Sequence, residues 1–364
     1  MSLPAAARLT IDLDALAANY QVLRKLSGRA ETAPVVKADG YGLGSGPIGR
    51  RLWAEGARSF FVARLTEGET LRAALGPDRP AAIYVLDGLI EGTGRRLAVA
   101  NLIPALTSLE QVAAAQRFAA QTALTLPVVL HVDTGMNRQG VTTSEAADFA
   151  AARERRAGLD LRLIMSHLGS ATDPSDPRSE VQLAKFNAIR ELFPDVRASL
   201  AASAGIFLGP DFLFDMVRPG VSLYGGGPEE RPDPRISAVA TLDAPILEVR
   251  QVAAGETIGY GPSMVVARPT RIAIVAAGYA DGLLRMAKGR GMAWFAGALR
   301  PMLIVTMDLI AVDIGEAPAK PGDWVELMGA NAPIDDLATA AGSVAHECLV
   351  RLSPRAERVY LGKA

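Results

Sequence analysis

The sequence contains very little cysteine, has no long apolar run and carries almost no net charge. Cys348 is the only cysteine among 364 residues, which excludes an intrachain disulfide. The longest uncharged apolar run, near residues 272–280, is far too short to span a bilayer. The 38 basic and 39 acidic residues nearly cancel, so no charge excess points to nucleic acid or to a membrane surface.

The N-terminus also lacks the pattern of a secretory signal peptide, because no charged segment is followed by an apolar one. We therefore expect a soluble cytoplasmic protein. Apolar residues make up 49% of the chain, and its length suggests two domains with a sizeable core. These bounds fit an enzyme, but none of them identifies a reaction.

Up to about Gly225, short β-branched runs alternate with longer, alanine-rich amphipathic segments. After an opening strand over Arg8–Leu13, this pattern predicts eight strands separated by helices, hence a parallel sheet. Eight such strands favour a closed (β/α)8 barrel of the TIM type. An open doubly wound sheet is the alternative, but no Gly-x-Gly-x-x-Gly motif follows the first strand. The predicted barrel strands are Pro34–Lys37, Ser59–Ala63, Ala82–Leu86, Leu102–Leu106, Val128–Val132, Leu161–His167, Arg197–Ala201 and Met216–Leu223, and the helices include Asp14–Leu26, Gly46–Glu55, Glu67–Leu75, Ser108–Ala120, Ser144–Arg156 and Glu180–Phe193.

Beyond Gly225 the pattern changes to closely spaced β signals, after a patch rich in glycine and proline. This is typical of a mainly-β domain, either a small barrel or a sandwich. We predict a barrel domain over residues 8–230 and a C-terminal β domain over 231–364, with which the first few residues can associate. The predicted β-domain strands are Ile236–Leu242, Ile246–Val252, Thr270–Ala277, Met302–Val312 and Asp323–Leu327.

Lys37 stands at the end of a predicted buried strand, directly before a turn with several glycines; residues 34–44 read PVVKADGYGLG. A buried lysine is costly unless it is paired or neutralised. Desolvation lowers its pKa, which makes the amine a usable nucleophile or base. Position alone favours an ordinary surface lysine, so the interpretation depends on the rest of the chain.

Four other polar segments follow predicted barrel strands in the same manner. Active residues of such barrels lie at the carboxyl ends of the strands. Five such segments in one barrel, counting that of Lys37, would be unusual for purely structural residues. The other four contain Arg138 in the loop that starts at Asp133, His167, Ser203, and Arg218 followed by Gly220.

These segments, in the same order along the whole chain, resemble those of the alanine racemase family. Residues 34–44 are similar to the segment in which that family carries the lysine that binds pyridoxal 5′-phosphate (PLP) as a Schiff base. The resemblance implies a PLP-dependent enzyme that racemises L-alanine to D-alanine, a peptidoglycan precursor. It also implies that Lys37 binds the cofactor covalently.

The resemblance assigns further cofactor contacts. Arg138 would contact the phenolic side of PLP, and His167 would lie against the ring. Arg218 would donate to the pyridine nitrogen; a guanidinium stays charged and will not protonate that nitrogen, which keeps the ring a weaker electron acceptor. The implied phosphate-binding residues are Tyr41, Ser203, Gly220 and Val221.

Racemisation needs one base on each face of a planar carbanion. Lys37 would serve one face and Tyr260, in the family-like segment over 258–263, the other. Tyr279 and Met307 lie in two further family-like segments and would be near the substrate, as would Arg138. In the family the tyrosine comes from the other subunit, so a head-to-tail homodimer with shared sites is implied. No metal, nucleic-acid or membrane partner is expected.

Five positions depart from the family pattern. His131 replaces a lysine, often carbamylated, that orients the arginine corresponding to Arg138, and Ala202 replaces an asparagine. Residues 303–304 replace a Gly-Arg pair near the substrate entrance. Arg351 replaces a tyrosine that narrows the pocket; an arginine there can bind phosphate or admit a substrate with its own acidic group.

Three other functions stay open: racemisation of another amino acid, PLP-dependent decarboxylation on the same architecture, and non-catalytic PLP binding. Decarboxylases of this type need a C-terminal cysteine in a Cys-Asp-Ser-like segment, whereas Cys348 lies in HECLV. Non-catalytic carriers resemble the barrel alone, whereas this chain continues through the Tyr260 segment.

Overall fold

The computed structural model describes residues 7–152, 156–261 and 264–363. They form two compact units. One unit is Tyr20–Leu223; the other combines the residues through Asn19 with Tyr224–Lys363. The predicted β domain also included Ala364, which lies outside the described residues.

Among the described residues of the first unit, eight short parallel strands form a closed ring. β3 to β8 pair in sequence order, and β2 pairs with β9. Single bridges from Val35 to Phe61 and from Ala202 to Arg218 connect the two sheets. The (β/α)8 barrel is thus confirmed. The strands are β2 (Glu31–Thr32), β3 (Ser59–Val62), β4 (Ala82–Val85), β5 (Ile103–Leu106), β6 (Leu126–His131), β7 (Leu159–Met165), β8 (Arg197–Ser199) and β9 (Met216–Val217).

Helices follow the strands, and no helix among the described residues is long and apolar enough to cross a membrane. Local side chains fix where they start: Asp12 Oδ1 accepts from the amide of Asp14 at 2.8 Å, at the start of the first helix. The helix predicted over Ser144–Arg156 ends at Ala151, and residues 153–155 lie outside the described residues. The helices are α1 (Leu13–Leu26), α2 (Lys37–Tyr41), α3 (Ser45–Ala54), α4 (Leu65–Leu75), α5 (Gly94–Val99), α6 (Leu109–Thr122), α7 (Thr143–Ala151), α8 (Arg178–Glu191), α9 (Ile334–Ala341) and α10 (Ala345–Val350).

Two barrel predictions were wrong in detail. The first strand was predicted over Pro34–Lys37, but the ladder is Glu31–Thr32 with a single bridge at Val35. The last was predicted to reach Leu223, but it ends at Val217 and a 3₁₀ turn follows over Val221–Leu223. Proline and glycine at positions 219 and 220 interrupt the ladder there.

The second unit contains a mostly antiparallel sheet, which confirms the mainly-β prediction. Its strand order is β11-β14-β13-β12-β15-β10, and an additional β10–β11 pairing closes these strands into a small barrel; β1 and β16 extend the sheet beyond β10. The strands are β1 (Arg8–Asp12), β10 (Ala240–Val252), β11 (Thr270–Val275), β12 (Met292–Phe295), β13 (Ala298–Val305), β14 (Ile310–Asp313), β15 (Trp324–Met328) and β16 (Glu357–Leu361).

The long strand β10 takes part in both pieces of this sheet. Two separate strands were predicted over 236–252, but the structure has one strand with irregular register between Ile246 and Glu248. Conversely, the single strand predicted over Met302–Val312 is a hairpin of β13 and β14. Such a bulge bends a strand, which allows β10 to pair with β1, β11 and β15.

Gly49→Ala is expected to destabilise the protein relative to Gly46→Ala in the same helix, α3. A Cβ at position 49 would lie 2.7 Å from Cδ1 of the fully buried Leu71, whereas the nearest atom to a Cβ at position 46 is 3.4 Å away. Alanine should stabilise a free helical position by about 0.5–1 kcal/mol, and overpacking should cost about 1–3 kcal/mol. Urea unfolding of both variants measures the difference; equal stabilisation would refute a tight α3–α4 contact.

Candidate active site

Lys37 lies two residues beyond the Val35–Phe61 bridge, at the carboxyl end of the first barrel strand. The turn that follows it is left-handed, since Ala38 and Asp39 have φ of 52° and 53°. Its amine makes no hydrogen bond or ion pair with any described residue. Burial lowers the pKa of Lys37, the guanidinium of Arg138 lowers it further, and the carboxylate of Glu67 opposes both. The expected depressed lysine pKa therefore has a physical basis.

Buried hydroxyls and amides converge beside this turn. Ser203 Oγ accepts from the backbone amides of Gly220 at 2.9 Å and Ser222 at 3.3 Å. The hydroxyl of Tyr41 lies against Gly220, where a Cβ would come within 2.3 Å of Tyr41 Oη. Ser222 Oγ is buried and has no partner among the described residues. The structure thus brings Tyr41, Ser203, Gly220 and the adjoining Val221 together, in a pocket of small polar groups that suits a phosphate; the sequence had not indicated Ser222.

Arg218 is buried without a carboxylate partner among the described residues. Its Nη2 donates to the carbonyl oxygens of Ser166 at 2.6 Å and Leu200 at 3.3 Å, and its Nη1 donates to Ser199 Oγ. No described residue accepts from its Nε. Burial lowers the pKa of Arg218 to about 10, so it stays charged at neutral pH. An uncompensated buried cation whose Nε–H has no described acceptor fits a ligand that supplies one.

The two histidines at the ends of β6 and β7 are held neutral. Burial lowers the pKa of His167 well below its ordinary value, and the charges of Arg218, Arg138 and Lys37 add to the effect. Burial and both guanidiniums lower the pKa of His131 to about 4, although Asp133 opposes them. Lys37, Arg138, His167 and Arg218 therefore lie close enough to act on one another electrostatically.

Arg138 itself is exposed, on the loop that follows β6, and it pairs with no described carboxylate. With Lys37 and Arg218 it makes this end of the barrel strongly positive. A neutral or cationic cofactor would gain nothing from such a field, whereas a phosphate-bearing one would be attracted to it. The residues present thus fit PLP.

Tyr260, Tyr279 and Met307 all belong to the other unit. Tyr260 is 84% exposed and stands between Gly259 and Gly261, which have φ of 83° and 61°; the end of its predicted segment, residues 262–263, lies outside the described residues. The amide of Tyr279 donates to the carbonyl of Thr306 at 2.9 Å, and the next amide donates to the carbonyl of Met307 at 3.0 Å. The segments of Tyr279 and Met307 therefore adjoin each other.

Family models match almost the entire chain: the alanine racemase N-terminal domain over residues 11–228 and the alanine racemase C-terminal domain over 239–360. This chain belongs to the alanine racemase family. The biosynthetic alanine racemase of Agrobacterium fabrum is 42% identical over 97% of this chain and 93% of that protein. The catabolic alanine racemase of the same organism is 38% identical over 98% and 92%.

Solved structures of alanine racemases have the same fold. The enzyme of Bartonella henselae, described with covalently bound pyridoxal phosphate, superposes with a TM-score of 0.92 at 35% identity, covering 98% of this chain and 100% of that one. The biosynthetic enzyme of Pseudomonas aeruginosa gives a TM-score of 0.91 at 32% identity, covering 98% and 99%.

Two of the residues that depart from the alanine racemase pattern, Ile304 and Arg351, make defined contacts. Ile304 packs with a buried apolar cluster that includes Ile258 and Val266, and it lies under Gly259 of the Tyr260 loop. Arg351 donates from Nε to Glu347 Oε1 at 2.7 Å, so a carboxylate already balances its charge. Arg351 also lines a cleft of about 270 Å³, together with Tyr279, Leu283, Leu284 and Arg285.

Stability is expected to fall as the pH drops from about 6.5 to 4, because His131 resists protonation only in the folded state. Its folded pKa of about 4 is below the ordinary value of 6.5, so between these values the unfolded chain binds the extra proton. The loss should approach about 3 kcal/mol and be complete below the folded pKa. The lowered pKa of His167 also makes stability fall as the pH drops.

Urea unfolding at pH 7, 5.5 and 4.5 measures this slope, and His131→Asn should make it shallower by the share of His131. If stability falls equally steeply with pH in the variant, the pKa of His131 is not lowered in the folded protein.

Proposed function

We propose that this protein is a PLP-dependent alanine racemase that interconverts L- and D-alanine. The observation that carries the proposal is the partly buried Lys37 at one end of a barrel. Its amine pairs with no described residue, and the turn that it starts adjoins the cluster of Ser203 and Gly220. Membership of the family and the 42% identity to named alanine racemases over nearly the full chain support the same reaction.

The barrel residues would hold the cofactor by complementary chemistry. Lys37 would bind it covalently, and Tyr41, Ser203, Gly220 and Val221 would hold its phosphate. The unused Nε of Arg218 would donate to the ring nitrogen, with His167 against the ring and Arg138 on its phenolic side. When bound, PLP accepts electron density from the Cα–H bond of the substrate and so makes that proton easier to remove.

The two proposed bases act on opposite faces of the substrate Cα. Lys37 has a lowered pKa, so its amine takes up or releases a proton near neutral pH more readily than an ordinary lysine. We propose Tyr260 as the second base. It is largely exposed in the single chain, which supports its use by a second copy in a head-to-tail homodimer. Tyr279 and Met307 would lie beside the substrate.

The structure gives no support to the decarboxylase alternative. Cys348 is 3% exposed within α10, and burial raises the pKa of its thiol to about 12. A buried, protonated thiol is a poor catalytic group. We further propose that residues 8–230 act as the cofactor domain and 231–364 as the domain that supplies Tyr260. A cytoplasmic location and a role in supplying D-alanine for peptidoglycan stay predictions.

Incubation of the purified protein with L-alanine should yield D-alanine, which chiral chromatography measures directly. Borohydride reduction followed by peptide mapping should place the pyridoxyl group on Lys37, because this lysine is the partly buried one with a lowered pKa. Lys37→Ala should abolish both results, while Lys25→Ala, an exposed lysine of α1, should change neither. A pyridoxyl group on another lysine would refute the assignment, and a panel of other L-amino acids tests the broader racemase alternative.

A re-associated mixture of equal amounts of Lys37→Ala and Tyr260→Phe should recover about one quarter of wild-type activity. Each homodimer lacks one base at both sites. In a shared-site dimer, half of the randomly formed dimers are mixed, and each mixed dimer has one site with both bases. The two variants are dissociated together, re-associated and assayed for racemisation. If dimers re-form with PLP bound and no activity returns, each site is built from one chain only.

A further inference from the structure

We propose that Glu67 is a positioning residue for Lys37: its carboxylate fixes the left-handed turn that starts at this lysine. The inference depends on the proposed function only for the role given to Lys37. Glu67 lies in the first turn of α4, a helix to which the sequence assigned no functional residue.

The turn after Lys37 has a backbone that L-residues rarely adopt. Ala38, Asp39 and Tyr41 have φ of 52°, 53° and 55°. Gly40 and Gly42, which lie between and after them, also have positive φ. Left-handed geometry crowds each Cβ against the following carbonyl. Such a backbone persists only where surrounding contacts impose it, and strain of this kind is concentrated at active sites.

Different side chains hold the two ends of this turn. At the far end, Asp39 Oδ1 accepts from the amide and hydroxyl of Ser45, at 2.8 and 3.0 Å. At the lysine end, Glu67 Oε1 accepts from the amide of Ala38 at 2.9 Å. The amide of Ala38 belongs to the peptide bond that joins it to Lys37. Glu67 therefore constrains the backbone from which the lysine side chain projects.

The same carboxylate anchors this contact to the barrel. Glu67 Oε2 accepts from the amides of Ala63 at 2.8 Å and Arg64 at 3.1 Å. Ala63 directly follows β3, so one side chain links the end of a barrel strand, the start of α4 and the lysine turn. Rotation of the Glu67 carboxylate would break its contact with the lysine turn and its contacts with the barrel at the same time.

A second glutamate in the chain shows that the helix cap does not need the contact with Ala38. Glu145 occupies the corresponding position in α7 and accepts from the amide of Thr142 at 2.7 Å and from its hydroxyl at 2.9 Å. Its contacts stay within its own helix end. The bond from Ala38 to Glu67 is therefore additional to capping, and Glu145 provides a matched control.

Glu67 also supplies negative charge beside the amine. The charged or titratable groups that act on Lys37 are Glu67 from α4, Arg138 from the loop after β6 and His167 after β7. Arg138 disfavours a second cation there, His167 is held neutral, and Glu67 favours the protonated amine. Removal of the carboxylate should therefore both loosen the turn and make the amine lose its proton at lower pH.

The test compares Glu67→Gln with Glu145→Gln in the full-length protein after PLP is removed. The rate at which trinitrobenzenesulfonate modifies Lys37 is followed by mass spectrometry as a function of pH. The midpoint for Lys37 should shift to lower pH in Glu67→Gln and stay at its wild-type value in Glu145→Gln. An unshifted midpoint in Glu67→Gln would overturn the proposal, whether or not the protein proves to be a racemase.

Glu67→Asp separates the position of the carboxylate from its charge. It is also the second variant if the Glu67→Gln protein does not fold. Aspartate keeps the charge but is one methylene too short to reach Ala38 and the barrel together. After PLP is restored, it should lower kcat about tenfold or more with KM little changed, because a small displacement of a catalytic group is costly. Its Lys37 midpoint should stay closer to wild type than that of Glu67→Gln. Wild-type kcat in Glu67→Asp would refute the positioning role.

Discussion

Two guanidiniums that pair with no described carboxylate determine the chemistry at the carboxyl end of the barrel. Arg218 is buried among carbonyl and hydroxyl oxygens, and Arg138 pairs with no described carboxylate. Burial and, after it, the charges of Arg218 and Arg138 keep His131 and His167 neutral. Burial and, after it, the charge of Arg138 lower the pKa of Lys37. An uncompensated buried charge is costly, so an anion bound here would stabilise the arrangement. A phosphate-bearing cofactor is the natural complement.

A rigid backbone beside this charge matters as much as the charge itself. The left-handed turn after Lys37 and the contact of Gly220 with the Tyr41 hydroxyl leave little room for movement. In the other unit, Gly278 has the same function: a Cβ there would meet the carbonyl oxygens of Thr306 and Met307 at 2.3 Å. Small residues therefore fix the distances at which the polar groups of both units are presented.

The sequence predicted the architecture and the main site residues because strand ends are recognisable. Lys37, Ser203 and Arg218 each follow an apolar run, and the barrel rule brings such positions together. The left-handed turn could not be predicted, since Ala38 and Asp39 are not residues that favour positive φ as glycine does. The contact of the Ser222 amide with Ser203 and that of Glu67 with the Ala38 amide join residues distant in sequence, so no local pattern revealed them. The bulge in β10 was missed because proline at position 245 and the apolar alternation around it indicate two strands.

The position of β1 between β10 and β16 has a consequence for synthesis of the chain. Arg8 pairs with Asp243, 235 positions later, and β1 also aligns with β16 near the C-terminus. The barrel unit can complete its own contacts as it leaves the ribosome. β1 precedes both of its neighbours in the chain, so its two edges stay unpaired until β10 and then β16 have been synthesised. An unpaired strand edge is open to other chains, and synthesis of Glu357–Leu361 covers the second edge of β1.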